Sequence, residues 1–167
     1  MLQTSTALTL TVAAGIVASA IPASAHDPVS WNGSEFQILL DAEETGGSIG
    51  MFTETTSGPG GPPAHVHDDA DEAFVLLEGE ARAMKGGEIS SMAQGEAVFV
   101  PRGTEHTFSV VGESGGKLLI IVAPAGFEGF FSAVAAEDLK IPDDMERINE
   151  LAARFKQRLT GPPMASE

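Results

Sequence analysis

Between Val29 and Val122 the apolar residues come in short runs, and glycine or proline separates nearly every run from the next. Runs this short cannot form helices of ordinary length, but they suit strands that alternate between a buried and an exposed face. The pattern predicts strands over residues 36–40, 48–55, 73–77, 81–84, 97–100, 107–111 and 118–122. Turns fall at Gly46-Gly47, Gly86-Gly87, Gly95 and 112–116. Regular short strands with turn signals between them point to an all-β sandwich or barrel.

Within this region, residues 61–79 read GPPAHVHDDADEAFVLLEG. His65 and His67 are two apart, so on an extended strand both imidazoles face one way. Asp68, Asp69, Asp71 and Glu72 follow at once, and any of them offers a carboxylate. Two imidazoles and a carboxylate are the donor set of non-haem iron sites, and iron, manganese, nickel, copper and zinc all accept such donors. Residues 95–106 read GEAVFVPRGTEH, a strand-like run turned by Pro101-Arg102-Gly103. If that turn folds the chain back, His106 joins the group.

These residues carry a resemblance. His65-x-His67, four residues, Glu72, six residues and Gly79 resemble the first motif of the cupin superfamily. Gly95, five residues, Pro101-x-Gly103, two residues and His106 resemble the second. The glycine that usually opens the first motif is Pro59 here, and the asparagine that often closes the second is Val110. The resemblance implies a jelly-roll barrel (a double-stranded β-helix) and a divalent transition metal on His65, His67, Glu72 and His106. It is closest in kind to small bacterial cupins of the quercetin dioxygenase-like type. That likeness implies oxygenase chemistry on a small enolic or phenolic substrate, with Glu72 both ligand and catalytic proton acceptor. Cupins of this shape also include non-catalytic metal- or ligand-binding proteins and metal-dependent isomerases and decarboxylases.

Residues 1–25 contain no charged side chain and lead to Ala23-Ser24-Ala25. An apolar run before an A-x-A site predicts a cleaved secretory signal peptide, and hence a secreted or periplasmic protein outside the membrane. The charges all follow that segment, and they sum to a formal −15. Such a surface opposes nucleic acid and leaves a small molecule as the expected partner, with a homodimer through barrel edges as the expected assembly. With no cysteine, no disulfide framework or thiolate ligand is available.

The barrel is expected over residues 26–136, with a C-terminal helix and tail over 137–167. Phe127, Phe130 and Phe131 are expected to pack as a loop on the barrel end. Met145, Ile148, Leu151, Ala152, Phe155 and Leu159 recur at helical spacing, and Gly161-Pro162-Pro163 is expected to stop that helix. Met51, Phe74, Met84, Met92, Phe99 and Phe108 are candidates to line the interior. Phe108, in phase with His106, is the leading candidate for the substrate pocket. Asp68, Asp69 and Arg102 are read as solvated turn residues. An inward-pointing Arg82 would favour a dianionic substrate; without one, a neutral aromatic or metal-chelating molecule is favoured.

Overall fold

The computed structural model describes residues 26–165, so the expected signal peptide lies outside the described residues. Among the described residues, eleven strands and two helices follow one another. The strands are β1 (Val29–Trp31), β2 (Ser34–Leu40), β3 (Gly50–Thr56), β4 (Pro63–His67), β5 (Asp71–Glu78) and β6 (Glu80–Lys85). They continue as β7 (Glu88–Met92), β8 (Ala97–Val100), β9 (His106–Val111), β10 (Gly116–Ala123) and, last, β11 (Gln157–Pro163). The helices α1 (Gly129–Ala136) and α2 (Met145–Arg154) lie between β10 and β11. One sheet runs β1-β2-β3-β10-β5-β8 and the other β11-β4-β9-β6-β7, with antiparallel pairing in each. This is the all-β jelly-roll barrel that the strand pattern and the motifs lead one to expect.

Alternation builds the core. In β10, Leu118, Ile120 and Val122 are at most 1% exposed while the residues between them are half-buried. In β5, Glu72 is in phase with buried Phe74 and Leu76, so the strand's own period turns a carboxylate inward. Burying five or six such side chains, at about 2 kcal/mol each, is what holds a carboxylate and three imidazoles out of water.

Three expectations need correction. The C-terminal helix stops at Arg154, not near Leu159: Lys156 takes a left-handed φ of 58°, and the chain reverses into β11. Leu159 therefore packs from a strand opposite His65. The phenylalanine-rich stretch 123–132, expected as a loop, runs from Gly129 into helix α1, which buries Phe130, Phe131 and Val134. Phe99 is 57% exposed on edge strand β8 and faces away from the interior. Met51 and Met84 are half-buried on outward phases, whereas Phe74 and Met92 belong to the solid core.

A close backbone approach fixes the segment before β4. Gly60 and Val110 exchange two backbone hydrogen bonds, Gly60 N to Val110 O at 3.1 Å and Val110 N to Gly60 O at 2.8 Å. A Cβ on Gly61 would collide with the carbonyl of Phe108. The two departures from the motif pattern, around Pro59 and at Val110, thus meet in space.

Candidate metal centre

His65 and His67 leave β4 on one face, and His65 lies opposite His106 of β9 in the ladder. Glu72 reaches them from the other sheet. One donor atom from each of His65, His67, Glu72 and His106 lies within 4.8 Å of every other, and all four side chains are buried. Donors about 2.1 Å from a shared ion stand about 3.0–3.4 Å apart as neighbours and up to about 4.2 Å apart when opposite, so a modest closure would let one ion reach all four. Asp68, Asp69 and Asp71 are not part of it.

The hydrogen bonds set the direction of the lone pairs. His65 Nδ1 is 2.7 Å from the Pro63 carbonyl, and His106 Nδ1 is 2.9 Å from that of Thr104. A carbonyl can only accept, so each Nδ1 carries the proton and each Nε2 of a neutral ring turns a lone pair inward. Outer hydrogen bonds of this kind orient histidine ligands in metal sites. His106 Nε2 and His67 Nε2 both lie 2.9 Å from Glu72 Oε2. A protonated His106 ring donates to that oxygen through Nε2; in a neutral ring the lone pair faces the carboxylate instead, which is repulsive unless a cation sits between them. The His67 contact lacks hydrogen-bond alignment, and both of its ring nitrogens remain buried without a hydrogen-bond partner. An orphaned imidazole nitrogen beside a carboxylate is what a metal ion would satisfy, so the residues fit a divalent transition ion.

Titration follows from the same contacts. Burial pushes His65 down to about 3, helped by the charge of His106, so its ring stays neutral. Burial opposes the charged forms of Glu72 and His106, yet their mutual hydrogen bond outweighs it: Glu72 is held well below the usual carboxylate range and His106 is raised.

A cavity of about 400 Å³ opens onto this group and includes His65 and Glu72 in its wall. Phe108 lines it. So do Phe127, Phe130 and Phe131, whose rings also pack among themselves and against the site: Phe127 meets the His67 ring edge-on at 4.4 Å. Packing and pocket wall are thus one role for these three residues. Sequence reasoning missed Trp31, Glu54, Thr56 and Gln157, all of which line the cavity. Glu54 and Thr56 were detectable in principle, since they continue the phase of Phe52 along β3; choosing Met51 as the inward residue put that strand in the wrong phase.

Cations stay outside. No Lys or Arg lines the cavity among the described residues. Arg82 is half-buried on the face of β6 opposite buried Ala81 and Ala83. Arg102 is exposed as expected but engaged: its backbone N and guanidinium clamp Asp71 at 2.9–3.1 Å. Asp68 likewise pairs with Arg158 at 2.9 Å.

Residues 52–122 match the family model of the cupin domain. No curated protein matches the chain. Among solved structures the chain is similar to KdgF from Halomonas sp., with 17% identity and a TM-score of 0.54 over 60% of this chain and 88% of that one. It is similar to an RmlC-like cupin from Shewanella frigidimarina NCIMB 400, with 18% identity and a TM-score of 0.53 over 64% and 89% of the two chains. It is also similar to a predicted oxalate decarboxylase from Thermotoga maritima, with 18% identity and a TM-score of 0.53 over 59% and 90%. At these identities the likeness is one of fold.

Proposed function

We propose that this cupin barrel is an exported, metal-dependent, dioxygenase-like oxidoreductase acting on a small, uncharged enolic or phenolic molecule. The observation that carries the reading is the make-up of the cavity: a four-donor His/Glu group at one end, aromatic walls, and no Lys or Arg among the described residues. Oxalate, named for the Thermotoga maritima protein, is a dianion, and a site for it would need a fixed cation beyond the metal. The cavity offers none, whereas its phenylalanine walls suit a planar apolar ring.

His65, His67, Glu72 and His106 would hold the ion, through Nε2 of His65 and His106 as the hydrogen bonds dictate. A divalent ion there supplies Lewis acidity and, where it is redox-active, electrons for dioxygen chemistry. The chain's own residues do the rest. Glu72 meets both rings through Oε2, which leaves Oε1 to accept the proton of a substrate hydroxyl. Phe108, Phe127 and Phe131 orient the ring and exclude water from the reacting end. Export, with work in the periplasm or outside the cell, rests on the signal-like residues 1–25.

Metal analysis of the purified protein, then oxygen-electrode traces with a flavonol under air and under nitrogen, test the reading. Oxygen uptake that disappears in His65→Ala supports it. Turnover without oxygen would favour an isomerase or decarboxylase, and tight binding without turnover a binding protein.

A further inference from the structure

The inner face of β3 carries Phe52, Glu54 and Thr56, all in the cavity wall. Across the ladder, β2 sets Ser34 opposite Thr56 and Phe36 opposite Glu54. Two aromatic rings and a polar rung therefore lie side by side on one sheet. Nothing in the four-donor group requires that rung: Glu54 is not among the donors, and among the described residues no Lys or Arg lines its cavity.

We propose that Glu54, with Ser34 and Thr56, forms a second polar subsite, which binds an uncharged hydroxyl or carbonyl oxygen of the same ligand whose other end lies at the His/Glu group. This rests on the enolic or phenolic reading above and names the second end of that molecule.

Three observations carry it. Glu54 is 6% exposed, and its single hydrogen bond among the described residues comes from Ser34 Oγ to Oε1 at 2.8 Å. Oε2 accepts no hydrogen bond from the described residues, and Glu54 lines the cavity. Thr56 Oγ1, two residues on, is buried and has no hydrogen-bond partner either. Buried polar atoms are normally paired, so a vacant buried hydroxyl next along the same strand face from an acid with an oxygen to spare, both in a cavity wall, marks a place for ligand atoms. The third observation is the state of the acid. Burial pushes Glu54 up to about 7, against the Ser34 hydrogen bond and with the help of the Glu72 charge. Near neutral pH much of it is a carboxylic acid, with an O–H to donate to a neutral oxygen. Thr56 can donate or accept beside it. Among the titratable groups that line the cavity, His65 and Glu72 belong to the four-donor group, so Glu54 is the one free to meet the far end of a ligand.

The experiment uses chelator-treated, full-length protein and two probes, phenol and toluene, titrated calorimetrically at pH 6. One hydrogen bond to a buried acid predicts that phenol binds about tenfold more tightly than toluene. Glu54→Leu should abolish that preference by weakening phenol about tenfold while leaving toluene unchanged. Glu54→Gln, whose amide still hydrogen-bonds, should keep most of it, and Thr56→Val should reduce it by a smaller factor. Circular dichroism checks that each variant is folded; if Glu54→Leu is not, Thr56→Val decides. Equal binding of the two probes by the parent, or an undiminished phenol preference in the deciding variant, overturns the subsite. So does tighter binding of benzylamine than of phenol, which would mark Glu54 as a carboxylate for cations. Absence of flavonol oxidation with the phenol preference intact would sink the oxygenase reading alone.

Discussion

His67 and Gln157 stand opposite each other across the ladder between β4 and β11, and each carries a buried polar atom without a hydrogen-bond partner. The last strand of the barrel thus places an amide oxygen in the cavity wall beside a candidate ligand. An unpaired buried acceptor costs about 1–3 kcal/mol. Gln157→Leu removes it and keeps the volume, so the metal-free variant should melt about 2–6 °C higher and bind the substrate less tightly. Scanning calorimetry and ligand titration check the pair; a lower melting temperature would show that Oε1 is satisfied in the folded protein.

Removing any of His65, His67, Glu72 or His106 should lower metal affinity by more than about 100-fold, because loss of an outer-shell partner alone typically costs 10–100-fold. Phe99→Ala, far out on β8, should leave it unchanged. Metal content after dialysis against a weak chelator distinguishes the two outcomes.

Glu54 gives the stability a defined pH dependence. The folded protein keeps its proton up to about pH 7, while the unfolded chain releases it near 4.5. Between those values the folded state binds more protons, so stability falls as pH rises through the window and the loss is complete above it. The gap corresponds to about 3 kcal/mol at most. Glu54→Gln should therefore exceed the parent in stability at pH 8, and its advantage should shrink by about that amount below pH 4.5. Urea midpoints of metal-free protein at pH 4 and pH 8 check this; an advantage that does not change with pH would contradict it.

Arg102 holds Asp71 down to about 2, through hydrogen bonds from its guanidinium and its backbone N. In Arg102→Ala the Asp71 pKa should move back towards the ordinary carboxylate value, as read by carbon NMR. The melting temperature should barely change, because both partners are exposed to solvent screening.

The four-donor group was legible because its signal is local: HxH on a strand, then a glutamate whose phase is set by Phe74 and Leu76. The barrel was legible from glycine-punctuated strands. What escaped was decided by distant contacts. The β11 sequence QRLTGPP ends in a run that normally stops a helix, and Leu159 falls on the helical period of Phe155 as readily as on a strand. Only pairing with β4 chooses between them. Helix α1 has no side-chain cap and no acid in its first turn, so its support comes from the burial of Phe130 and Phe131. Glu54 was missed because Met51 and Phe52 are both apolar, and either could have set the inward phase of β3.

The cavity draws Trp31 and Phe36 from one extreme of the described chain and Gln157 and Leu159 from the other, all outside the matched segment 52–122. The four donors thus lie wholly within that segment, while the cavity wall is shared between it and the flanks. A chimera grafting foreign flanks onto this segment should therefore keep the four-donor group and reshape the part of the cavity that Trp31, Phe36, Gln157 and Leu159 build.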